Sequence, residues 1–475
     1  VSDRIAAVSI VIFVALLGAV LRILGGEGDL WFDEVWTLET LQRFDAPTQI
    51  LSLYRHHTNH LLNSFVLNLL PPLQPDIVYR LPAIAAAIAA LPLFWAFNQR
   101  QLGSYSLGAC LLFAVSVPVI AFSTEARGFS LLIFGSLVAL LVLDDNLRDE
   151  DWRLIGLYWL ACIVAFLAHP SFVVFFSALV VWSLSLDFSA RFTRTIEILG
   201  KCHLVPAAVG AIVYLRFYQF VPPESLAAPP PFLDLFISAM SLAVGGPELM
   251  EAAIGGVSLA RLVAGSVVIL LVTETYLTLQ RGGRYWMLYL GGVFVAPYLW
   301  YLSPLVRTDS VAYFLLPTIV LYLALGSFVA RLMSFSLLSR TTAALLLGLV
   351  CFGSLSGLHL ASDSGRGKVR RAFAYMAQST QAPIVTIAGD DDVGNELFVD
   401  FYLHRVEVGK PIVYRTAGEP GPADAEWYLV RRDTLAAELD HEIVMSGGRP
   451  FELKKIFRRM LPAGTNLYVY QRAGE

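Results

Sequence analysis

Charge is scarce in this chain. Only 15% of its 475 residues are Asp, Glu, Lys or Arg, against 56% hydrophobic residues and a mean hydropathy of +0.64. A water-soluble domain this apolar would expose large apolar patches, so the bilayer is the natural solvent. The few charges nearly cancel, at a net −4, which leaves no electrostatic ground for nucleic-acid binding. Cysteine is equally sparse. Cys110, Cys162, Cys202 and Cys351 lie in or beside apolar runs without metal-ligand spacing, and they read as small core residues. No HExxH helix marks a metalloprotease. No small-x-small cleavage site follows the first apolar run, "IAAVSIVIFVALLGAVLRIL", which reads as an uncleaved first helix.

Long apolar runs, by contrast, abound. Stretches near 5–24, 78–97, 104–122, 128–143, 153–168, 171–187, 203–221, 260–279, 285–302, 311–330 and 341–360 give about eleven expected spans. Basic residues concentrate in alternate connections, among them Arg4, Arg100, Arg148, Arg153, Arg194, Lys201, Arg281, Arg284 and Arg340. The positive-inside rule then sets the N-terminus inside and the C-terminus outside. The outer side receives the bulk: 25–77, 222–259 and the tail after about 361. In the first outer loop, 25–77, "DEVWTLETLQRF" has helical apolar spacing and predicts an interfacial helix. "PTQILSLYRHHTNHLLNSFVLNLLPP" predicts a second, started by Pro47 and stopped by Pro71 and Pro72. Beyond Leu360, "APIVTIAGD", "KPIVYRT", "EWYLVRR" and "TNLYVYQR" read as strands and "NELFVDFYLHRV" as a helix. The expectation is an α-helical polytopic module over 1–361 and a small extracytoplasmic α/β domain over 362–475.

The residues that can carry chemistry fall on the expected outer face. Asp33 and Glu34 stand among Trp31, Phe32 and Trp36. They either cap a helix, since acids suit its N-terminus, or supply a general base in water-poor surroundings. "RHHTNH" holds Arg55, His56, His57, Asn59 and His60, a spacing that suits metal ligands, phosphate donors or a polar helix face. Glu125 and Arg127 occupy one very short connection, as an ion pair tying helices or as a phosphate-binding guanidinium with its partner. His169 precedes Pro170 at another outer helix end. Arg307 either meets phosphate or pairs with Asp309. Asp390, Asp391 and Asp392 lack EF-hand spacing and read as a helix cap.

The order of these features — "WFDEVW", then "TNH", "YRLPAIAAAIAALPLF" and "STEARGFSLL" — resembles the GT-C fold glycosyltransferases, including protein O-mannosyltransferases and the lipid A aminoarabinose transferase. "SPLVRTDSVAYFLLPTIVLYLALG" is similar to their later spans more loosely. The resemblance implies an inverting enzyme in the cytoplasmic (inner) membrane of a bacterium, with its active site facing the periplasm or exterior. Its donor is a polyprenyl-phosphate-linked sugar, and its acceptor a glycan, lipid or protein hydroxyl among membrane lipids. On that resemblance Asp33 is the base and Glu34 orients the loop or assists. Arg127, His60 and Arg307 meet the donor phosphate, with His57, Asn59, Glu125 and His169 as further contacts. Some relatives bind a metal, so a divalent ion stays open here and no other cofactor is implied. The chain departs from the group twice: "NHLLNS" stands where relatives have Pro-Pro after the Lys or His, and Ala312–Tyr313 where they have Arg-Tyr. The competing reading is a transporter or flippase of lipid-linked saccharides, which would call for internal repeats and charged or broken helices at mid-membrane.

Overall fold

The computed structural model describes residues 2–44, 47–51, 60–149, 152–186, 192–218, 230–247, 254–303, 310–364, 366, 368–403, 405–406, 409–416, 425–432, 441–443, 450–459 and 464–474. The helices in chain order are α1 (Ser2–Gly25), α2 (Phe32–Gln42), α3 (Leu61–Asn68), α4 (Asp76–Leu102), α5 (Leu107–Val115), α6 (Val117–Ser123), α7 (Phe129–Asp149), α8 (Ile155–Ala168), α9 (Phe172–Ser185), α10 (Phe192–Ile198), α11 (Leu204–Val213), α12 (Phe232–Ala243), α13 (Ile254–Gln280), α14 (Trp286–Leu290), α15 (Ala296–Tyr301), α16 (Leu315–Ser334), α17 (Leu337–Ser364), α18 (Val369–Ser379) and α19 (Asp392–Leu403). The chain forms two compact units. The first comprises Val1–Gly26, Ile50–Val66 and Arg80–Gly357; the second comprises Glu27–Gln49, Leu67–Tyr79 and Leu358–Glu475.

The first unit is all helix among its described residues. Across the described chain, six helical stretches are long and apolar enough to cross a membrane: Asp76–Val115, Phe129–Asp149, Thr193–Phe217, Ser258–Gln280, Val311–Ser334 and Leu337–His359. Ser9–Gly25, Ile155–Ala168, Phe172–Ser185 and Phe232–Ala243 are shorter apolar helices. The Asp76–Val115 stretch doubles back on itself. Phe94 and Phe113 stack with centroids 4.4 Å apart, whereas a straight helix would hold them about 28 Å apart. The reversal falls at Gly103, whose φ of +56° suits glycine. A second break at Ser116 (ψ 119°) separates α5 from α6; its hydroxyl accepts the Val119 N–H at 3.2 Å. At the centre runs α16, buried along nearly its whole length, with the Tyr322 hydroxyl 2.6 Å from Ser116 Oγ and 2.7 Å from the Ala243 carbonyl. α17 is the opposite case. Leu337, Leu338, Leu345, Leu349 and Phe352 are each 69–79% exposed, a surface suited to lipid chains rather than water.

The second unit carries a six-stranded sheet of β1 (Val385–Gly389), β2 (Ile412–Tyr414), β3 (Trp427–Arg432), β4 (Glu442–Ile443), β5 (Phe451–Phe457) and β6 (Asn466–Arg472) in the order β2-β1-β3-β6-β5-β4. β1 pairs in parallel with β2 and β3, and the remaining pairs are antiparallel. Parallel neighbours need a crossover, and α19 supplies it between β1 and β2. Two expectations change here. The segment 25–77 is divided: Ile50–Val66 belongs to the first unit, whereas Glu27–Gln49 and Leu67–Tyr79 pack with the tail, because Asp29 and Asp76 bind Arg370, Asp76 and the Gln74 carbonyl bind Arg405, and Tyr402 donates to the Leu30 carbonyl. The helix expected over "DEVWTLETLQ" forms as α2, but its Val35, Leu38 and Leu41 are buried in protein contacts that include α19, rather than left for headgroups.

Candidate functional site

The turn from α6 to α7, residues 124–128, gathers a cluster of polar side chains in the first unit. Its backbone is tied on three sides. Thr124 Oγ1 lies 2.8 Å from the Ile120 carbonyl and 3.1 Å from that of Gly25 at the end of α1. Asn63 of α3 donates Nδ2–H to the Ala126 carbonyl at 2.9 Å. Gly128 lies against the end of α8 so closely that an added Cβ would stand 2.0 Å from the Ala168 carbonyl oxygen. Only glycine lets the turn reach that helix end.

This approach positions His60. The Gly128 N–H donates to His60 Nδ1 at 3.1 Å, and Arg127 Nη2 lies 3.3 Å from His60 Nε2. Arg127 Nη1 sits 3.4 Å from Oε2 of the fully buried Glu125, and the guanidinium lies 5.0 Å from the Phe129 ring centroid. The His169 ring is 4.6 Å from that of His60 and stacks on Phe129, also at 4.6 Å, while Tyr313 meets His169 at 5.8 Å. Ser171 N–H donates to His169 Nδ1 at 3.0 Å. Burial foremost, and the nearby Arg127 charge second, push the His169 imidazole well below its ordinary value, so this ring is neutral near pH 7. A guanidinium backed by a buried carboxylate and flanked by imidazole rings is a kind of arrangement chemically suited to a phosphate oxygen.

The two acids of the second unit are not equivalent. Glu34 is fully buried; its Oε2 accepts the Trp31 N–H at 3.1 Å, as in a capping box, and its Oε1 is 3.9 Å from Arg366 Nη1. Asp33 is half-buried, and its backbone carbonyl accepts the Thr37 hydroxyl at 2.9 Å. A structural role of the pair therefore falls on Glu34, while Asp33 is the less buried of the two carboxylates. Phe32 beside it packs on Trp36 and Phe398, with the Arg431 guanidinium 3.7 Å from its ring centroid.

The structure thus brings His60, Glu125, Arg127 and His169 together, and holds Asp33 and Glu34 in the other unit. His57, Asn59 and Arg307, like His56 and Asp309, lie outside the described residues. Asp391 Oδ1 caps α19 through the Gly394 N–H at 3.1 Å, and Asp390 and Asp391 pair with Arg432 and Arg431, as the capping reading expected. Among the described residues no three His, Cys, Asp or Glu converge as a metal-ligand set. His60 and His169 do not fit a metal as they stand, because backbone N–H groups already take their Nδ1 lone pairs. Sequence reasoning missed Asn63, Gly128 and Tyr313 as parts of this cluster. Gly128 had a signal, standing directly after Arg127 in a connection too short for slack; Tyr313 stood in the late motif compared with the relatives' Arg-Tyr, but its contact with His169 depends on long-range packing. Comparison with models of known protein families and with curated proteins found no match.

Proposed function

We propose that this chain is an inverting glycosyltransferase of the GT-C kind, moving a sugar from a polyprenyl-phosphate-linked donor to an acceptor hydroxyl at the outer membrane face. The observation that carries the reading is the pairing of Arg127 Nη2 with His60 Nε2, 3.3 Å apart, with His60 Nδ1 held by the Gly128 N–H of the same short turn. In the reaction, Asp33 removes the acceptor hydroxyl proton as the oxygen attacks the anomeric carbon. The bond from that carbon to the phosphate oxygen breaks on the opposite face, and polyprenyl phosphate departs with the electron pair. Arg127 and His60 stabilise the charge growing on the departing oxygen. The same reading takes about eleven crossings, an inside N-terminus, an outside tail domain and a bacterial inner membrane, in keeping with the apolar runs and the sidedness of Lys and Arg.

The test supplies purified protein with polyprenyl-phosphate sugars and candidate acceptors and follows products by mass. Wild type forms a glycosidic bond, and Asp33→Asn abolishes product while eluting as a single folded species. A wild-type rate in Asp33→Asn would remove Asp33 as the base. Vesicles that move labelled lipid without forming that bond would favour a flippase instead.

A further inference from the structure

A neutral imidazole has one N–H and one lone pair, so whatever bonds one nitrogen fixes the other. At His60 the Nδ1 lone pair accepts the Gly128 N–H, and at His169 the Nδ1 lone pair accepts the Ser171 N–H. Both rings must then carry their proton on Nε2. We infer that His60 and His169 are locked by these backbone amides as neutral Nε2–H donors, and that neither carries a proton to or from a substrate.

The geometry around them supports this. His60 Nε2–H and Arg127 Nη2–H are both donors, and at 3.3 Å they cannot bond each other; they can share one acceptor oxygen. Protonating either ring would put an N–H on Nδ1, directly against a backbone N–H. That sets donor against donor and leaves a buried amide unsatisfied. At His60 the backbone cannot retreat, because Gly128 is wedged against the Ala168 carbonyl. The groups facing the two rings among the described residues are each other, Arg127 with its Glu125, Phe129 and Tyr313. Among the described residues Arg127 and Glu125 offset each other, so the described part of the cluster combines N–H donors with little net charge. This use of the donors rests on the glycosyltransferase reading; the tautomers do not.

Long-range 1H–15N correlation of histidine-labelled protein in detergent tests the tautomers directly, with His60→Gln and His169→Gln giving the assignments. Across about pH 5.5–8, spanning the ordinary imidazole range, both rings should show a protonated Nε2 and no titration while the protein stays folded. A proton on Nδ1 of either ring, or a titration in the folded state, would overturn the inference. Two variants test the use of the donor. His60→Gln sets an amide N–H near the Nε2 position, whereas His60→Asn can only replace Nδ1 as acceptor of the Gly128 N–H. Transfer should fall by about tenfold or more in His60→Asn relative to His60→Gln, and the reverse order would refute a donor role. A wild-type protein that makes no product would sink the glycosyltransferase reading while leaving the spectroscopic result intact.

Discussion

Side by side in the sequence, Asp33 and Glu34 look like two versions of one acid. What separates them is a backbone N–H three residues earlier and an arginine far along the chain. Glu34 holds the start of α2 through Trp31 and faces Arg366. Glu34→Ala should therefore lower stability by about 2 kcal/mol through loss of the cap and of the carboxylate beside a buried guanidinium, read as a lower melting temperature. The sequence marked both acids and could not divide their roles, because Arg366 is remote. His169 makes a second prediction. Its folded value is depressed, by burial and then by Arg127, so the unfolded chain binds the proton and the fold does not. Stability is then fully present above the ordinary imidazole value near 6.5 and declines as pH falls below it, by up to about 1.4 kcal/mol per pH unit. Thermal unfolding from pH 8 to pH 5 should show the decline, and His169→Gln should flatten it.

At the scale of elements, apolar periodicity made most of the fold legible. α7, α8, α9, α13, α16 and α17 lie on expected apolar runs, and β1, β2, β3, β6 and α19 lie where the tail's alternation placed them. β5 escaped notice for a physical reason. Its "FELKKIF" carries Glu452, Lys454 and Lys455, and the register shifts between Leu453 and Lys455, so its burial does not alternate evenly. The short polar turn 124–128 was legible as a place but not as a mechanism, since its tightness comes from the end of α8. Gly128→Ala drives a Cβ into the Ala168 carbonyl. It should cost about 1–3 kcal/mol and move His60 off its amide, seen as a lowered melting temperature together with a changed His60 Nδ1 resonance. If Gly128→Ala melts like wild type with an unchanged His60 signal, the turn does not position that ring.

For the whole chain, the decisive fact is that the second unit is assembled from three separated stretches. The strand and helix signals beyond Leu360 pointed to a separate small α/β domain over 362–475. Yet Arg370 takes Asp29 at 2.9 Å and Asp76 at 2.7 Å, Arg405 donates to the Gln74 carbonyl at 2.7 Å, and Tyr402 donates to the Leu30 carbonyl at 2.6 Å. Every one of those partners comes from the segments before residue 80. Phe398 likewise packs on Phe32. Cut away from them, residues 358–475 would expose an apolar face of α19 and leave arginines facing lost carboxylates, and a domain this small has little stability to lose. Expressed alone, that fragment should bind hydrophobic dye and lack a cooperative melting transition. Joined through a flexible linker to residues 27–79, it should regain one. A lone fragment with a dispersed amide spectrum and a sharp melt would mean that the early segments merely rest on a finished domain. The expected result means instead that the loop carrying Asp33 is built into the sheet domain's own core, so that cutting the tail from the chain also unmoors the proposed base.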